Sequence, residues 1–372
     1  MNDRLPPIYF YVPESDWPSD YMPESSQAYW EWMCSRYRLS ETDPKYQYLG
    51  RYNWTLQAYL NLKDTGFPCQ LTKRLPSAGI MLAHRAFLPF HFRPNSNLMI
   101  VGIKADYETH PYAQVHLVQN PQETLKDSYY MSYWPQPGLI PRDPERGDRF
   151  ENIAYFGIEK NLAPELRDPS WSEQLKNLGL NWQVVSRDRW NDYSNVDAIF
   201  AVRSFKQESD YKWKPASKLV NAWLARVPAI LGCESAYQAE RQSELDYIEV
   251  NSVDEALNAI KRLRDNQELR QRMVENGRVR AESMTVEQIT QRWRKFLTDV
   301  AVPEYDRWCK ASTLTQQIYL ARRYLVIKEN GLQPNPVYPH DLDITDSQPM
   351  GIQQQAIISL MQVYRSVKKL GR

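Results

Sequence analysis

The sequence has 372 residues, of which 42% are hydrophobic and 24% are charged, a composition typical of soluble proteins with room for two cores. The formal net charge is +1 at pH 7, whereas nucleic-acid binders usually carry a basic excess, so we expect no nucleic-acid partner. No run approaches the roughly eighteen apolar residues that span a bilayer, and the amino-terminal segment lacks the apolar core of a signal peptide. We therefore expect a cytoplasmic protein.

The first part of the chain alternates strands with helices, which predicts parallel strands in an α/β domain. Helices are predicted over 27–37 and 54–64, with Gly66 ending the second. Short apolar runs predict the strands Ile8–Val12, Cys69–Leu71, Gly79–His84, Asn97–Gly102 and Val115–Val118.

A segment rich in proline, glycine and charge, WPQPGLIPRDPERGDR, interrupts this pattern after Tyr133. It separates two α/β patterns and is interpreted as a connection between domains. The predicted division is a first domain over 1–135, a linker over 136–150, a second domain over 151–300 and a helical extension with a Pro-rich segment over 301–372.

The second part of the chain repeats the α/β pattern. A helix is predicted from Lys218, and the pairs Ser252/Glu255 and Thr285/Gln288 are capping boxes that begin two further helices. The predicted strands are Ile153–Gly157, Trp182–Val185, Val196–Val202, Val227–Leu231 and Asp246–Val250.

Two more helices are predicted in the extension, over 314–329 and 353–370. The last has an apolar stripe at helical spacing, from Ile357 to Val367, with basic residues nearby. We expect this stripe to dock onto the protein itself or onto a twin subunit as a homo-oligomer. Peripheral contact with a membrane surface is the alternative.

Polar residues follow the predicted strands of the second domain. Gly157, Arg203 with Ser204, and Lys214 with Lys218 come after three strands or at the start of a helix. Ligands of open parallel sheets bind at the carboxyl ends of strands, and cations near a helix start suit a pyrophosphate. The alternatives are a surface cation for Arg203 and a solvated helix residue for Lys218.

The region 153–297 resembles the nucleotide-sugar half of a family-4-like GT-B glycosyltransferase. The family pattern EAMA-G-PVI matches the run NAWLARVPAI that begins at Asn221, and a later run from Asp254 to Gly277 fits the same half. The family has a glutamate at the position of Asn221, and its companion glutamate is replaced by Trp213. An asparagine still hydrogen-bonds a hydroxyl, but without charge.

This resemblance implies two Rossmann-like domains facing a cleft that holds a nucleotide-sugar donor, without a metal or another cofactor. Basic side chains and a helix start would offset the charge of the leaving diphosphate. The four cysteines match no metal-ligand spacing, and Asp341-Leu342-Asp343 lies away from any predicted strand. The resemblance also favours retention of configuration at the sugar.

The first domain would then hold the acceptor. His84 follows a strand, and its ordinary pKa suits proton transfer near neutral pH. Asp106 and His110 follow the next strand, and Glu14 and Asp16 follow the first. These are the candidates for catalysis and acceptor contact, and the alternative for His84 is a histidine with a structural role.

The resulting hypothesis is a hexosyltransferase that moves a sugar from a nucleotide-sugar to a hydroxyl of a glycan, lipid or small metabolite, as in polysaccharide biosynthesis. The alternative is a non-catalytic GT-B-like partner subunit that binds a glycan or nucleotide, which the two missing glutamates favour. A nucleotide-sugar epimerase would need an acid/base pair that the sequence does not identify.

Overall fold

The computed structural model describes residues 5–18, 21–39, 49–206, 210–334 and 351–370. These residues form two separate sheets with helices around them, and every strand pair within both sheets is parallel. The predicted α/β fold, with two Rossmann-like domains and a helical carboxyl-terminal extension, is confirmed.

The first sheet has six strands in the order β2-β1-β3-β4-β5-β6. Its two central strands, β3 and β4, are buried along their whole length, as expected of a sheet covered on both faces. The last strand was not predicted, because it is a three-residue edge strand with little burial. The strands are β1 Ile8–Tyr11, β2 Gln70–Thr72, β3 Gly79–His84, β4 Leu98–Ile103, β5 Val115–Val118 and β6 Ser128–Tyr130.

Helices α1 (Ser26–Leu39), α2 (Gly50–Trp54) and α3 (Leu56–Asp64) connect β1 to β2. The sequence predicts one helix over 54–64, but a kink at Thr55 separates α2 from α3. The Thr55 hydroxyl donates to the carbonyl oxygen of residue 51 at 3.0 Å, a local bond that often bends helices. The kink places the start of α2 at the edge of the first sheet.

The second sheet has five strands in the order β11-β10-β9-β7-β8. The predicted cap at Ser252 is present, and Glu255 accepts a bond from the N–H of Asn251, one residue earlier than a capping box requires. The strands are β7 Asn152–Phe156, β8 Asn181–Val185, β9 Ala198–Ala201, β10 Ala229–Gly232 and β11 Ile248–Val250. The helices are α4 Pro164–Arg167, α5 Pro169–Asn177, α6 Ser217–Ala225, α7 Ser235–Glu240, α8 Val253–Asp265 and α9 Gln267–Ala281.

The next helix, α10 (Val286–Phe296), returns to the first domain. Ile289, Trp293 and Phe296 are buried in the core of the first sheet, whereas Met284 still packs in the core of the second. The core of the second sheet therefore ends before α10, whereas the sequence predicts the end of the second domain at residue 300. An amphipathic helix does not reveal from its sequence which of two cores it covers.

The extension continues through a π-helical turn, Leu297–Ala301, into α11 (Val302–Lys310) and α12 (Thr313–Glu329). The Tyr319 hydroxyl donates to the carbonyl oxygen of Ala113 at 2.8 Å, which fixes α12 on the first domain. The last helix, α13 (Ile352–Leu370), packs on α12 through a small apolar cluster that includes Ile358. None of the helices that the structure describes is both long and apolar enough to cross a membrane.

Candidate functional site

Both sheets are doubly wound, and in each the strand order reverses beside the first strand, between β1 and β3 and between β7 and β9. Ligands of such sheets bind at the carboxyl ends of these strands. In this protein the two edges face each other across a cleft. Two adjoining cavities of about 300 Å³ each fill the cleft and share the residues Gly50, Asp106, Tyr133 and Ser217.

The start of helix α6 forms one wall of the cleft. Its N-cap, Ala216, has no side chain that accepts a hydrogen bond, so the first N–H groups of the helix keep their binding capacity. Ser217 lines both cavities and Lys218 lines one of them. An uncapped helix start of this kind attracts anions.

Lys218 is a half-buried cation in this wall. Within the described residues its Nζ makes no hydrogen bond or ion pair, and it lies 5.4 Å from the centre of the Tyr155 ring. Burial, with a smaller contribution from the Arg203 guanidinium, lowers the pKa of Lys218 from 10.5 to about 7. A bound anion would reverse this shift and would make the lysine a full cation.

Arg203 follows β9 and lines the same cleft. Its Nε donates to Glu234 Oε2 at 3.1 Å, and its guanidinium lies 5.6 Å from the Tyr211 ring. Burial is the largest single influence and opposes the charge, but the Glu234 carboxylate and the nearby Tyr237 and Tyr155 together raise the pKa of Arg203. Ser204 lines neither cavity, and its hydroxyl accepts from the N–H of Lys206 in a local turn.

Gly157 lines the cleft at the end of β7. A methyl group on Gly157 would lie 2.5 Å from the hydroxyl oxygen of Tyr155, which sets the space requirement at this position. The sequence predicts that the Gly157 backbone approaches a ligand. In the structure the Tyr155 ring lies against Gly157. The glycine therefore lets this tyrosine lie under Lys218.

Asn221 lines the cleft, but its side chain already holds protein groups. Its Oδ1 accepts from the backbone N–H of Gln136 at 3.0 Å, which fixes the interdomain connection to α6. It also shares a hydrogen bond with the buried Tyr193 hydroxyl. The Asn221 amide therefore holds α6 to the interdomain connection and to Tyr193.

His84 lines the cavity from the opposite wall. Its Nδ1 accepts from the N–H of Ala86 at 3.2 Å, and Tyr107 packs against its ring at 4.9 Å. Burial, with the nearby Arg51 and Arg85 guanidinium groups, lowers the pKa of His84 to about 3. The imidazole is therefore neutral at physiological pH, and its free nitrogen, Nε2, then carries the proton.

His110 lies away from the cleft and lines neither cavity. Its Nε2 bonds the carbonyl oxygen of Pro89 at 3.0 Å, and its Nδ1 accepts from the N–H of Tyr112. Burial lowers its pKa well below the usual range. The structure therefore does not bring His110 to Asp106, because the turn after β4 directs the histidine into the interior.

Asp106 and Lys214 meet across the mouth of the cleft. Lys214 Nζ lies 2.5 Å from Asp106 Oδ2, and Gln119 Nε2 donates both to Asp106 Oδ1 and to the carbonyl oxygen of Trp213, each at 2.6 Å. Two residues of each domain form this network. It connects Asp106, which the sequence predicts on the acceptor side, with Lys214, which the sequence predicts at the donor site.

The sequence reasoning missed Arg51, which the kink before α3 brings into the cleft. Arg51 is buried, its Nη2 lies 2.6 Å from Asp16 Oδ1, and its Nε has no hydrogen-bond partner among the described residues. Glu14 instead pairs with Lys73 on the surface. Arg51 precedes the helix that the sequence predicts over 54–64, so no sequence pattern distinguishes it from a surface cation.

Among the residues that the structure describes, no three His, Cys, Asp or Glu side chains are grouped as around a metal ion. Asp341-Leu342-Asp343 lies outside the described residues. The cations that line the cleft are Arg51, Arg187, Arg203, Lys214 and Lys218.

No family model matches the chain, and no curated protein matches its sequence. Among solved structures, the chain is similar to HepE from Anabaena in complex with UDP-glucose, at 10% identity and a TM-score of 0.45 over 79% of this chain and 100% of HepE. Sucrose-phosphate synthase from Thermosynechococcus elongatus has 12% identity and a TM-score of 0.44, over 81% of this chain and 100% of the synthase. TarM from S. aureus has 10% identity and a TM-score of 0.43 over 65% of this chain, which spans 58% of TarM. The strand order and register of this chain define its fold.

Proposed function

We propose that the protein is a GT-B glycosyltransferase that moves a sugar from a nucleotide-sugar to a hydroxyl of a glycan, lipid or small metabolite. The observation that carries this proposal is the uncapped start of α6 beside Lys218, a half-buried lysine that lies over the Tyr155 ring and has no hydrogen bond or ion pair among the described residues. Both groups lie at the switch point of the second sheet, where a phosphorylated ligand is expected.

In the proposed reaction the diphosphate of the donor binds the N–H groups at the start of α6, with Lys218 and Arg203 on either side. The bond from the anomeric carbon to the diphosphate breaks, and a bond to the acceptor oxygen forms. The start of α6 and the two cations would stabilise the charge of the leaving nucleoside diphosphate without a metal ion, because these groups are already in position before the reaction.

The acceptor would bind against the wall formed by His84 and Asp106. His84 would donate a hydrogen bond from Nε2, since its lowered pKa keeps it neutral. Asp106 would accept the proton of the acceptor hydroxyl once Lys214 turns toward the diphosphate. Retention of configuration is part of this proposal and rests on the sequence resemblance alone.

Calorimetry with UDP-, GDP- and ADP-sugars tests donor binding, and an assay of released nucleoside diphosphate tests turnover. Lys218→Ala should weaken binding of the preferred donor about tenfold or more, because a charge-assisted bond to phosphate is lost. Lys212→Ala is the matched control, since Lys212 pairs with Asp210 on the surface and lines neither cavity. Equal donor affinity in both variants would contradict the proposed site.

The second candidate function is a non-catalytic binding subunit. The observation that favours it is the bond from Gln136 N–H to Asn221, which occupies the side chain at the position of a family glutamate. This candidate predicts donor binding without release of nucleotide, whatever acceptor is added. Nucleotide release that depends on an acceptor would reject it.

A further inference from the structure

A separate cavity lies at the opposite edge of the second sheet from the cleft. Its volume is about 290 Å³, and it is enclosed by residues that precede β7, β9 and β10 together with the first half of α9. The proposed donor site uses the carboxyl ends of the same strands. This cavity and the cleft are therefore on opposite sides of the second domain. The proposed transfer reaction does not account for this cavity.

Four arginines line this cavity: Arg142, Arg149, Arg226 and Arg270. Among the described residues, the hydrogen-bond partners of Arg149 and Arg270 are backbone carbonyl oxygens. Carbonyl oxygens satisfy the N–H groups of a guanidinium and hold it in place, but they do not neutralise its charge. These two arginines are preorganised cations.

The three carboxylates in the lining do not balance the arginines. Asp197 is shared between Arg142 and the buried Arg146, with an N–O distance of 2.7 Å to the latter. Glu275 lies 2.8 Å from Arg278, and both side chains of this ion pair are exposed. Asp148 is exposed. The wall therefore keeps an excess of positive charge.

Arg226 is the most unusual of the four. It ends helix α6 in the left-handed conformation, with φ 60° and ψ 43°, where glycine is the unstrained residue. Its side chain is exposed and has no hydrogen bond or ion pair among the described residues. A residue kept in a strained conformation although glycine would relieve it points to a function for its side chain.

The lining also has an apolar part. Phe150 is buried, and the Arg270 guanidinium lies 5.2 Å from the centre of its ring. Val274 and two prolines extend this surface. A cavity of this size that combines an apolar surface with fixed charged groups suits a small organic molecule that carries a charged group.

We propose that this cavity is a second ligand site that binds a phosphomonoester of a small organic molecule. Arg226 and Arg270 bind the phosphate, because guanidinium groups match its geometry and charge. Phe150 and Val274 contact the organic body. The site does not depend on the proposed transfer reaction, and a failure of one leaves the other standing.

The test is calorimetry on the full chain with Lys218→Ala, so that the cleft contributes little to phosphate binding. The probes are inorganic phosphate, glucose 1-phosphate and UMP. We expect one of the two organic phosphates to bind more tightly than inorganic phosphate, because only an organic probe contacts the apolar wall. Tighter binding of inorganic phosphate, or no binding of any probe at millimolar concentration, would overturn the proposal.

Arg226→Gly and Arg226→Asn provide the matched variants. Both residues tolerate the left-handed conformation, so both variants should fold, and the glycine variant should have a higher Tm without ligand. Affinity for the organic phosphate should fall about tenfold or more in both, and Arg74→Ala, which removes an exposed arginine of the first domain, should leave it unchanged. Unchanged affinity in the two Arg226 variants would reject the site.

Discussion

Lys214 Nζ lies 2.5 Å from Asp106 Oδ2, and this ion pair joins the two domains at the mouth of the cleft. Both residues line the cleft cavity that also contains His84, so a ligand bound between them would share or replace their contact. The carboxylate is also held by Gln119, whose amide bonds the backbone of the other domain. The contact between the domains at this point therefore involves groups that the proposed reaction would also use.

Asp106→Asn should increase the separation of the two domains. It should change the free energy of unfolding only slightly. The pair is partly exposed, with 44% of the Asp106 side chain accessible, so its coupling energy with Lys214 should stay below about 1 kcal/mol. A double-mutant cycle with Lys214→Met measures this energy, and small-angle scattering measures the separation of the domains. A coupling of several kcal/mol without a change in shape would mean that the pair is structural only.

Lys218→Met should stabilise the free protein while it weakens donor binding about tenfold or more. The folded state lowers the pKa of Lys218 from 10.5 to about 7, so below pH 7 both states are protonated and the folded state bears the full cost of the buried charge. Between pH 7 and 10.5 the unfolded chain binds more protons, and the stability of the wild type rises with pH. The variant should gain about 1 kcal/mol or more at pH 7, and the gain should shrink toward pH 10.

Donor binding should take up a proton at the same site. A bound diphosphate raises the pKa of Lys218, so calorimetry at pH 8 in buffers of different ionisation enthalpy should report net proton uptake in the wild type. Uptake should disappear in Lys218→Met if that variant retains measurable affinity. Equal uptake in both proteins would assign the proton to another group.

Gly157→Ala should disturb the cleft through Tyr155. The added methyl group would lie 2.5 Å from the tyrosine hydroxyl oxygen, so the ring must move, at about 1–3 kcal/mol. Denaturant unfolding measures the loss, and Tyr155→Ala in the same chain should remove most of the additional cost. Gly351→Ala, where nothing lies within 4 Å of the new methyl group, should change stability by less than about 0.5 kcal/mol.

His84→Gln should flatten the acid limb of the stability profile. Burial and two nearby guanidinium groups lower the folded pKa of His84 from 6.5 to about 3. As pH falls through this window the unfolded chain takes up a proton that the folded protein refuses, so stability is lost. The free energy of unfolding of the wild type should therefore fall more steeply from pH 6.5 to 4 than that of the variant. Parallel profiles would show that His84 is less buried than the structure indicates.

Trp293→Ala should destabilise the first domain, although the second domain precedes this residue in the chain. Trp293 is fully buried in the first core and stacks on Trp134 with ring centres 6.2 Å apart. The loss should be about 3–5 kcal/mol, with hydrogen-exchange protection falling in β4 and persisting in β9. Trp171→Ala, in the core of the second domain, should produce the opposite pattern.

Local patterns in the sequence determined the type and order of most strands and helices and the parallel pairing of both sheets. They also determined that Gly157, Arg203 and Lys218 would lie at one edge of the second sheet. Apolar periodicity, caps and glycine positions act within a few residues, and parallel strands bring their carboxyl ends together whatever the rest of the fold does.

Tertiary packing decided the contacts between residues far apart in the chain. It placed α10 in the first core, joined Asp106 to Lys214, gave Asn221 a backbone partner and turned His110 inward. The chain contains several residues that could fill each of these positions. Which of them does so depends on buried area and hydrogen-bond satisfaction summed over the whole molecule, and no local pattern in the sequence records that sum.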